Sequence, residues 1–268
     1  MPSQATAFPH PEPLHHPSAA KAAALLRAQG FVRLDAASLA GLTGQASAAL
    51  AALAQAWQAL PSDEHLKDGG RYRRRRHGSY VQDVAAHTLA PVPHRPHWQP
   101  TTYNALHGGM LRHFEPLGPG LADTPALAGL TAALGEVFAH AAHPTGSEPD
   151  FDGRWFIEVH PFRIDTTGGV GRPTPEGAHR DGVNFVAVLL VDRHGVRGGE
   201  SRVFAADGPH GVRFTLDEPW SALLIDDARV IHEATPIQPE LDGAPGWRDT
   251  LVITYRAGGF QDPPAGNP

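Results

Sequence analysis

Between residues 152 and 256 the chain presents seven or eight short runs that are apolar or alternate apolar with polar, with no helical period between them. They fall at 154–164, 183–192, 201–205, 212–216, 222–226, 230–236 and 248–256, and turn signals such as Gly198-Gly199 and Asp207-Gly208 separate them. Short strands that succeed one another without crossover helices pair antiparallel, and so many in a row close into a sandwich or jelly roll. In the first run the two-residue period sets Phe156, Glu158, His160, Phe162 and Ile164 on one face.

The first 150 residues read differently. Residues 1–17 carry Pro and His without an apolar period, His10, His15 and His16 among them, and are expected to form a disordered tail. Ser18 is placed to cap a helix that Gly30 ends, Phe31-Val-Arg-Leu34 alternates as a short strand, and an Ala/Leu-rich helix is predicted over 38–60, closed by Pro61. Another helix starts at Thr124-Pro125 and runs to about residue 143. The Pro- and His-rich segment 91–100 reads as a long loop of the kind that covers binding sites. The expected organisation is a tail over 1–17, one domain over 18–256, and a C-terminal tail over 257–268. Within the domain a helical and hairpin part (18–150) packs around a β core (151–256), giving a mostly β fold with flanking helices.

Composition removes several functions. The chain has no cysteine, so disulfides, thiolate nucleophiles and zinc knuckles are excluded. A net charge of −6 argues against a nucleic-acid partner. The one basic cluster, Arg71-Tyr-Arg-Arg-Arg-Arg76, is either a solvated strand face or a source of guanidinium groups that grip a small carboxylate. No run approaches the roughly 18 apolar residues of a membrane span, and the N-terminus lacks the pattern of a signal peptide. The expectation is a cytoplasmic protein acting on a small molecule, with no nucleic-acid or membrane partner.

The candidate chemistry sits at Pro175-Glu-Gly-Ala-His-Arg-Asp-Gly182, which leads into the apolar run Val183-Asn-Phe-Val-Ala-Val-Leu-Leu-Val191. His179 and Asp181 are two apart at the mouth of a strand and so share a face. With His232, inside the later run Arg229-Val-Ile-His-Glu-Ala-Thr-Pro236, they make the two-imidazole, one-carboxylate set that holds non-haem Fe(II) and leaves one side of the ion open. His194 and His210 lie beside glycines in turn-like stretches and are poorer ligands. A 2-oxo acid fills two of the open positions through its ketone and carboxylate. Arg248, with Thr250 on the same face of the last strand, is placed to take the far carboxylate of 2-oxoglutarate. For a primary substrate the candidates are Tyr103, Arg112, Glu158 and Arg163, an arginine for a carboxylate and Glu158 for an ammonium.

The stretches 175–182, Arg197-Gly-Gly-Glu-Ser201, Asp226-Asp-Ala-Arg-Val-Ile-His232, Thr235-Pro236 and Trp247-Arg-Asp-Thr-Leu-Val-Ile-Thr254 resemble the bacterial 2-oxoglutarate/Fe(II)-dependent dioxygenase family that includes the free L-isoleucine hydroxylase. The resemblance covers roughly 152–256. It implies a double-stranded β-helix, that is, a cupin-like jelly roll. It further implies iron on His179, Asp181 and His232, 2-oxoglutarate on Arg248, and hydroxylation of an aliphatic carbon of a free L-amino acid as 2-oxoglutarate is split to succinate and CO₂. Some relatives in this family are associated with biofilm and stress phenotypes. One departure is Gly182, where the isoleucine enzyme carries a second acid after the ligand aspartate. Two other readings stay open: a cupin-like metal enzyme that does not use 2-oxoglutarate, and a non-catalytic sensor of 2-oxoglutarate or another ligand.

Overall fold

The computed structural model describes residues 12–264 apart from 145 and 147. Helix α1 (Ala19–Gln29) starts where Ser18 accepts the Lys21 amide and stops at Gly30, whose φ of 82° lets its amide return to the Leu26 carbonyl. Strand β1 (Phe31–Leu34) follows. The single helix expected over 38–60 is instead broken. Asp35 caps α2 (Ala36–Thr43), left-handed Gly44 ends it, α3 (Ser47–Leu53) sets off at a steep angle, and 54–59 tightens into a 3₁₀ turn. The physical reason is Gly44, which takes a φ of 66° without a Cβ penalty and lets both pieces turn onto the same partner helix.

The tail expected over 1–17 falls partly outside the described residues. Where it is described it lies against the core: the Leu14 amide bonds to the Arg33 carbonyl at 2.7 Å, and His15 Nδ1 is 2.6 Å from Asp35. At the other end Ala257 is buried, and Gln261 donates to the carbonyls of Asp181 and Gly182.

Strands β2 (Arg73–Arg75), β3 (Gly78–Asp83) and β4 (Thr88–Pro91) come next, then the single turn α4 (Pro119–Ala122) and the long helix α5 (Pro125–Ala141), capped by Thr124. The β region contains β5 (Arg154–Asp165), β6 (Phe185–His194), β7 (Val196–Gly198), β8 (Glu200–Ala205), β9 (Gly211–Thr215), β10 (Ala222–Asp226), β11 (Val230–Ala234), β12 (Ile237–Pro239) and β13 (Trp247–Arg256). Strands β7 and β12, three residues each, are too short to carry a period of their own in the sequence.

The main sheet runs β1-β10-β6-β13-β5-β3-β4, with β2 also paired to β5, and all its pairings are antiparallel. Two small sheets, β11-β8-β9 and β12-β7, complete the strands of a jelly roll. The N-terminal part therefore does more than pack around the core, because β1 to β4 supply main-sheet strands on both sides of the β region. Alternation then divides the apolar residues. Val186, Leu190, Leu223 and Ile225 join Val203, Phe214 and Val230 of the small sheet in one cluster, while Ala187, Leu189, Leu224 and Ile253 meet α1 and α5 in the larger one.

Trp57 pins the helical layer to the sheet. It is fully buried, and its indole N–H lies 2.9 Å from the Phe162 carbonyl of β5 and 3.3 Å from the Thr250 carbonyl of β13. Replacing it by Ala removes the aromatic packing and leaves a cavity. The expected loss is about 3–5 kcal/mol in unfolding free energy, read as a lower urea midpoint at unchanged slope.

Candidate active site

His179 and His232 are brought together by backbone pairing. The His179 amide bonds to the His232 carbonyl at 3.0 Å and the His232 amide returns to His179 at 2.9 Å. Directly opposed residues of an antiparallel pair project to the same side, so the two imidazoles stand with ring centroids 4.7 Å apart. Asp181 completes the group: its Oδ1 is 3.8 Å from His179 Nε2 and its Oδ2 is 3.6 Å from His232 Nε2. One donor atom from each residue lies within 4.8 Å of the other two, a spacing that can hold a metal ion.

The protonation states suit that role. His179 Nδ1 is 2.9 Å from the Gly177 carbonyl, which can only accept; a proton therefore sits on Nδ1, and Nε2 is the atom turned toward Asp181. Burial, with His179 alongside, pushes His232 well below the ordinary imidazole range, so it is neutral. Burial pulls His179 down as well, but Asp181 and Glu176 outweigh it and leave its pKa raised. The loop that carries Asp181 is clamped from behind by Asp227, a fully buried residue that sequence reasoning missed. Its carboxylate accepts the amides of Asp181, Gly182 and Val183 at 2.8–3.2 Å. Gly182 has a φ of 75°, and the Tyr103 ring occupies the space where a side chain would go.

The triad opens into a cavity whose walls include Arg248, Thr250, Arg75, Arg112, Glu158 and Glu176. Arg248 is 3% exposed, has no carboxylate within ion-pair distance among the described residues, and its Nε has no partner. Burial and the nearby Arg193 push its pKa down only to about 10, so it is a cation at neutral pH. A buried, unpaired guanidinium with a threonine beside it fits the distal carboxylate of 2-oxoglutarate.

The four substrate candidates separate. Arg112 lines the cavity, 2% exposed, and donates to Gln99 Oε1 at 2.8 Å, while Gln99 Nε2 is 3.3 Å from Asp181 Oδ1. Glu158 also faces the cavity, but its oxygens already accept from His77 Nε2 at 3.1 Å and His97 Nδ1 at 2.9 Å. Tyr103 is outside: its hydroxyl donates to Glu148 at 2.7 Å and its ring backs Gly182. Arg163 is outside too. It forms a bidentate pair with Asp249 at 2.8 and 2.6 Å, on the face of β5 opposite Glu158, His160 and Phe162. Arg75, from the basic cluster, was not singled out as a site residue. It is buried, sandwiched between the Phe114 and Phe162 rings at 3.8 and 4.2 Å, and donates to His160 Nδ1 at 2.7 Å. The solvated-face reading of that cluster therefore fails for Arg73 and Arg75, which turn inward.

By donor spacing a second group, His77, His97, Glu158 and His160, can also hold a metal. Its surroundings argue otherwise. Arg75 donates to His160 Nδ1, which forces the His160 proton onto Nε2, the atom facing Glu158. Arg75, Arg95 and Arg112 also surround the group with positive charge. The arrangement is that of a carboxylate held by imidazole N–H groups. Against the upward push of burial, His97 and His77 keep Glu158 well below the ordinary carboxylate range.

The family model described as 2OG-Fe dioxygenase matches residues 54–254, three quarters of the chain. A crystal structure of a bsmA homolog from Methylobium petroleophilum PM1 is 57% identical, covers 94% of this chain and 97% of its own, and superposes with a TM-score of 0.86. IDO from Bacillus thuringiensis (16% identical, 92% and 99% covered, TM-score 0.71) and the Fe(II)/α-ketoglutarate-dependent dioxygenase TqaL (18%, 89% and 87%, 0.69) share the fold. No curated protein matches the sequence. The chain belongs to the 2OG-Fe dioxygenase family and is an enzyme, with Fe(II) as its metal and 2-oxoglutarate as co-substrate. No single helix among the described residues is long and apolar enough to cross a membrane.

The buried imidazoles carry a pH signature. Burial pushes the pKa of His97 down to about 4, although Glu158 pulls the other way. The unfolded chain takes up that proton near pH 6.5. Between those values the unfolded state binds more protons, so this group's contribution is full above the window and is lost as pH falls through it. The urea midpoint of wild-type protein should therefore drop more steeply from pH 6.5 to 4.5 than that of His97→Asn.

Proposed function

We propose that this enzyme hydroxylates an aliphatic carbon of a free L-amino acid, with His179, Asp181 and His232 holding the Fe(II) and Arg248 and Thr250 the distal end of 2-oxoglutarate. The observation that supports this most is the meeting of the triad and the unpaired Arg248 in one cavity. A metal enzyme without 2-oxoglutarate would leave a buried guanidinium uncompensated there. When bound, Fe(II) and 2-oxoglutarate supply the oxidising chemistry, in which the co-substrate is split to succinate and CO₂ and one oxygen of O₂ enters the substrate C–H bond.

The rest is positioning by the chain. Gly177 keeps the His179 tautomer, and Asp227 holds the Asp181 loop. Gln99 links Asp181 to Arg112, so that the carboxylate of the triad and the guanidinium of the substrate end keep a fixed relation. Arg112 takes the α-carboxylate of the substrate, and its pKa of about 10, lowered by burial and Arg73, leaves it charged at neutral pH. A cytoplasmic location belongs to the same reading, since a reducing compartment keeps iron in the ferrous state.

His179→Ala and Asp181→Ala should each lower Fe(II)- and 2-oxoglutarate-dependent succinate release at least about 100-fold; full turnover in both would sink the assignment. Arg248→Ala should raise the KM for 2-oxoglutarate by roughly 10–100-fold, the scale of a lost charge-assisted pair, with Arg248→Lys in between. Arg112→Gln should raise the KM for the amino acid found by a succinate-release screen while leaving the KM for 2-oxoglutarate within about threefold.

A further inference from the structure

One carboxylate of the cavity has a buried oxygen without a partner among the described residues. Glu176 lines it three residues before His179; its Oε2 is buried with no partner, and its Oε1 meets only His179 Nε2, at 3.5 Å. Once His179 Nε2 turns its lone pair to a metal, that contact offers Glu176 no proton. The residue is not grouped with the triad: it approaches His179, but only His179, Asp181 and His232 offer donor atoms that all lie within 4.8 Å of one another. Two other cavity carboxylates lie away from the triad: Glu233 pairs with Arg202 at 3.2 Å, and Glu158 is in the opposite condition to Glu176. Glu158 already accepts two imidazole N–H groups, with Arg95 3.6 Å from Oε1.

The charges of the wall limit what enters. Arg73 is matched by Asp63, its Nε 2.7 Å from that carboxylate, and Glu233 by Arg202 at 3.2 Å. Dianionic 2-oxoglutarate matches Arg248 together with the charge that a divalent ion and Asp181 leave over. Arg75 and Arg112 then remain, without a carboxylate at ion-pair distance among the described residues, facing Glu158 and Glu176 within the same cavity. Those four charges sum to zero. A ligand with one positive and one negative end and no net charge is accommodated, whereas a further charge on its side chain finds no partner.

Resting on the amino-acid reading above, we propose that Glu176, rather than Glu158, receives the substrate ammonium while Arg112, backed by Arg75, receives its carboxylate, so that the substrate is an α-amino acid with an uncharged side chain. Ile164, Phe162 and Pro173 supply apolar wall in the same cavity for such a side chain.

The test is anaerobic titration calorimetry on Fe(II)-loaded protein saturated with 2-oxoglutarate. The probes are L-valine, L-leucine, L-isoleucine and L-methionine, their 2-hydroxy acid counterparts, L-glutamate and L-lysine. Wild-type protein should bind the best neutral amino acid roughly 10–100-fold more tightly than its hydroxy acid, the scale of a charge-assisted hydrogen bond, and more tightly than L-glutamate or L-lysine. In the near-isosteric Glu176→Gln the preference over the hydroxy acid should shrink to within about threefold, with the affinities for metal and 2-oxoglutarate unchanged within the same margin. Glu158→Gln should keep the preference. The proposal is overturned if Glu176→Gln retains the preference, if its metal affinity falls in step with the loss, or if a charged amino acid binds best. Failure of every amino acid tested, neutral or charged, to bind overturns the amino-acid reading and this inference together. Failure of 2-oxoglutarate to bind wild-type protein overturns the assignment of its site to Arg248 and, with it, the charge balance on which this inference stands.

Discussion

Two backbone hydrogen bonds between His179 and His232 hold the site together. They make residues from a loop and from a distant strand face each other as a strand pair does, and the shared direction of the two imidazoles follows. Asp181 needs only the two-residue period to join them. The pairing is possible because the jelly roll closes there and because Asp227 takes up three successive amides that would otherwise be buried unpaired.

The cavity is electrostatically divided. The end formed by His232, His179 and Asp181 consists of a neutral imidazole, a second imidazole with its Nδ1 proton committed to a carbonyl, and a carboxylate. Elsewhere guanidinium groups are held in low-dielectric surroundings by aromatic faces and imidazole nitrogens instead of carboxylates. Such groups are costly to bury and gain when an anion arrives, which is the arrangement expected where a co-substrate and a substrate both carry carboxylates. The His77, His97, Glu158 and His160 group shows that donor spacing alone does not define a metal site. The proton inventory around Arg75 and the positive charge nearby give it a different meaning.

Legibility in the sequence followed the range of the interaction. Alternation placed Arg248 and Thr250 on one face and both line the cavity, and it placed Glu158, His160, Phe162 and Ile164 together in the same wall. The same rule, applied to Arg163, would have turned it away from that wall, and it is paired there with Asp249. Tyr103 resembled a ligand residue by type, but its hydroxyl is spent on Glu148 and its ring fills the space above Gly182. The break at Gly44 was hidden because Ala and Leu on both sides favour helix, and only the position of α5 decides where each piece must lie.

The amino-acid sequence by itself determined the β class, the triad and the arginine that shares their cavity, since these depend on strand period and on side chains with few alternative uses. Tertiary structure alone decided that Arg75 and Arg112 turn inward without carboxylate partners among the described residues, that Glu158 already accepts two imidazole N–H groups, and that Glu176 keeps a free oxygen beside His179. The reason is physical: whether a charged side chain is available to a ligand depends on which neighbours have already satisfied it, and those neighbours come from strands and loops far away along the chain.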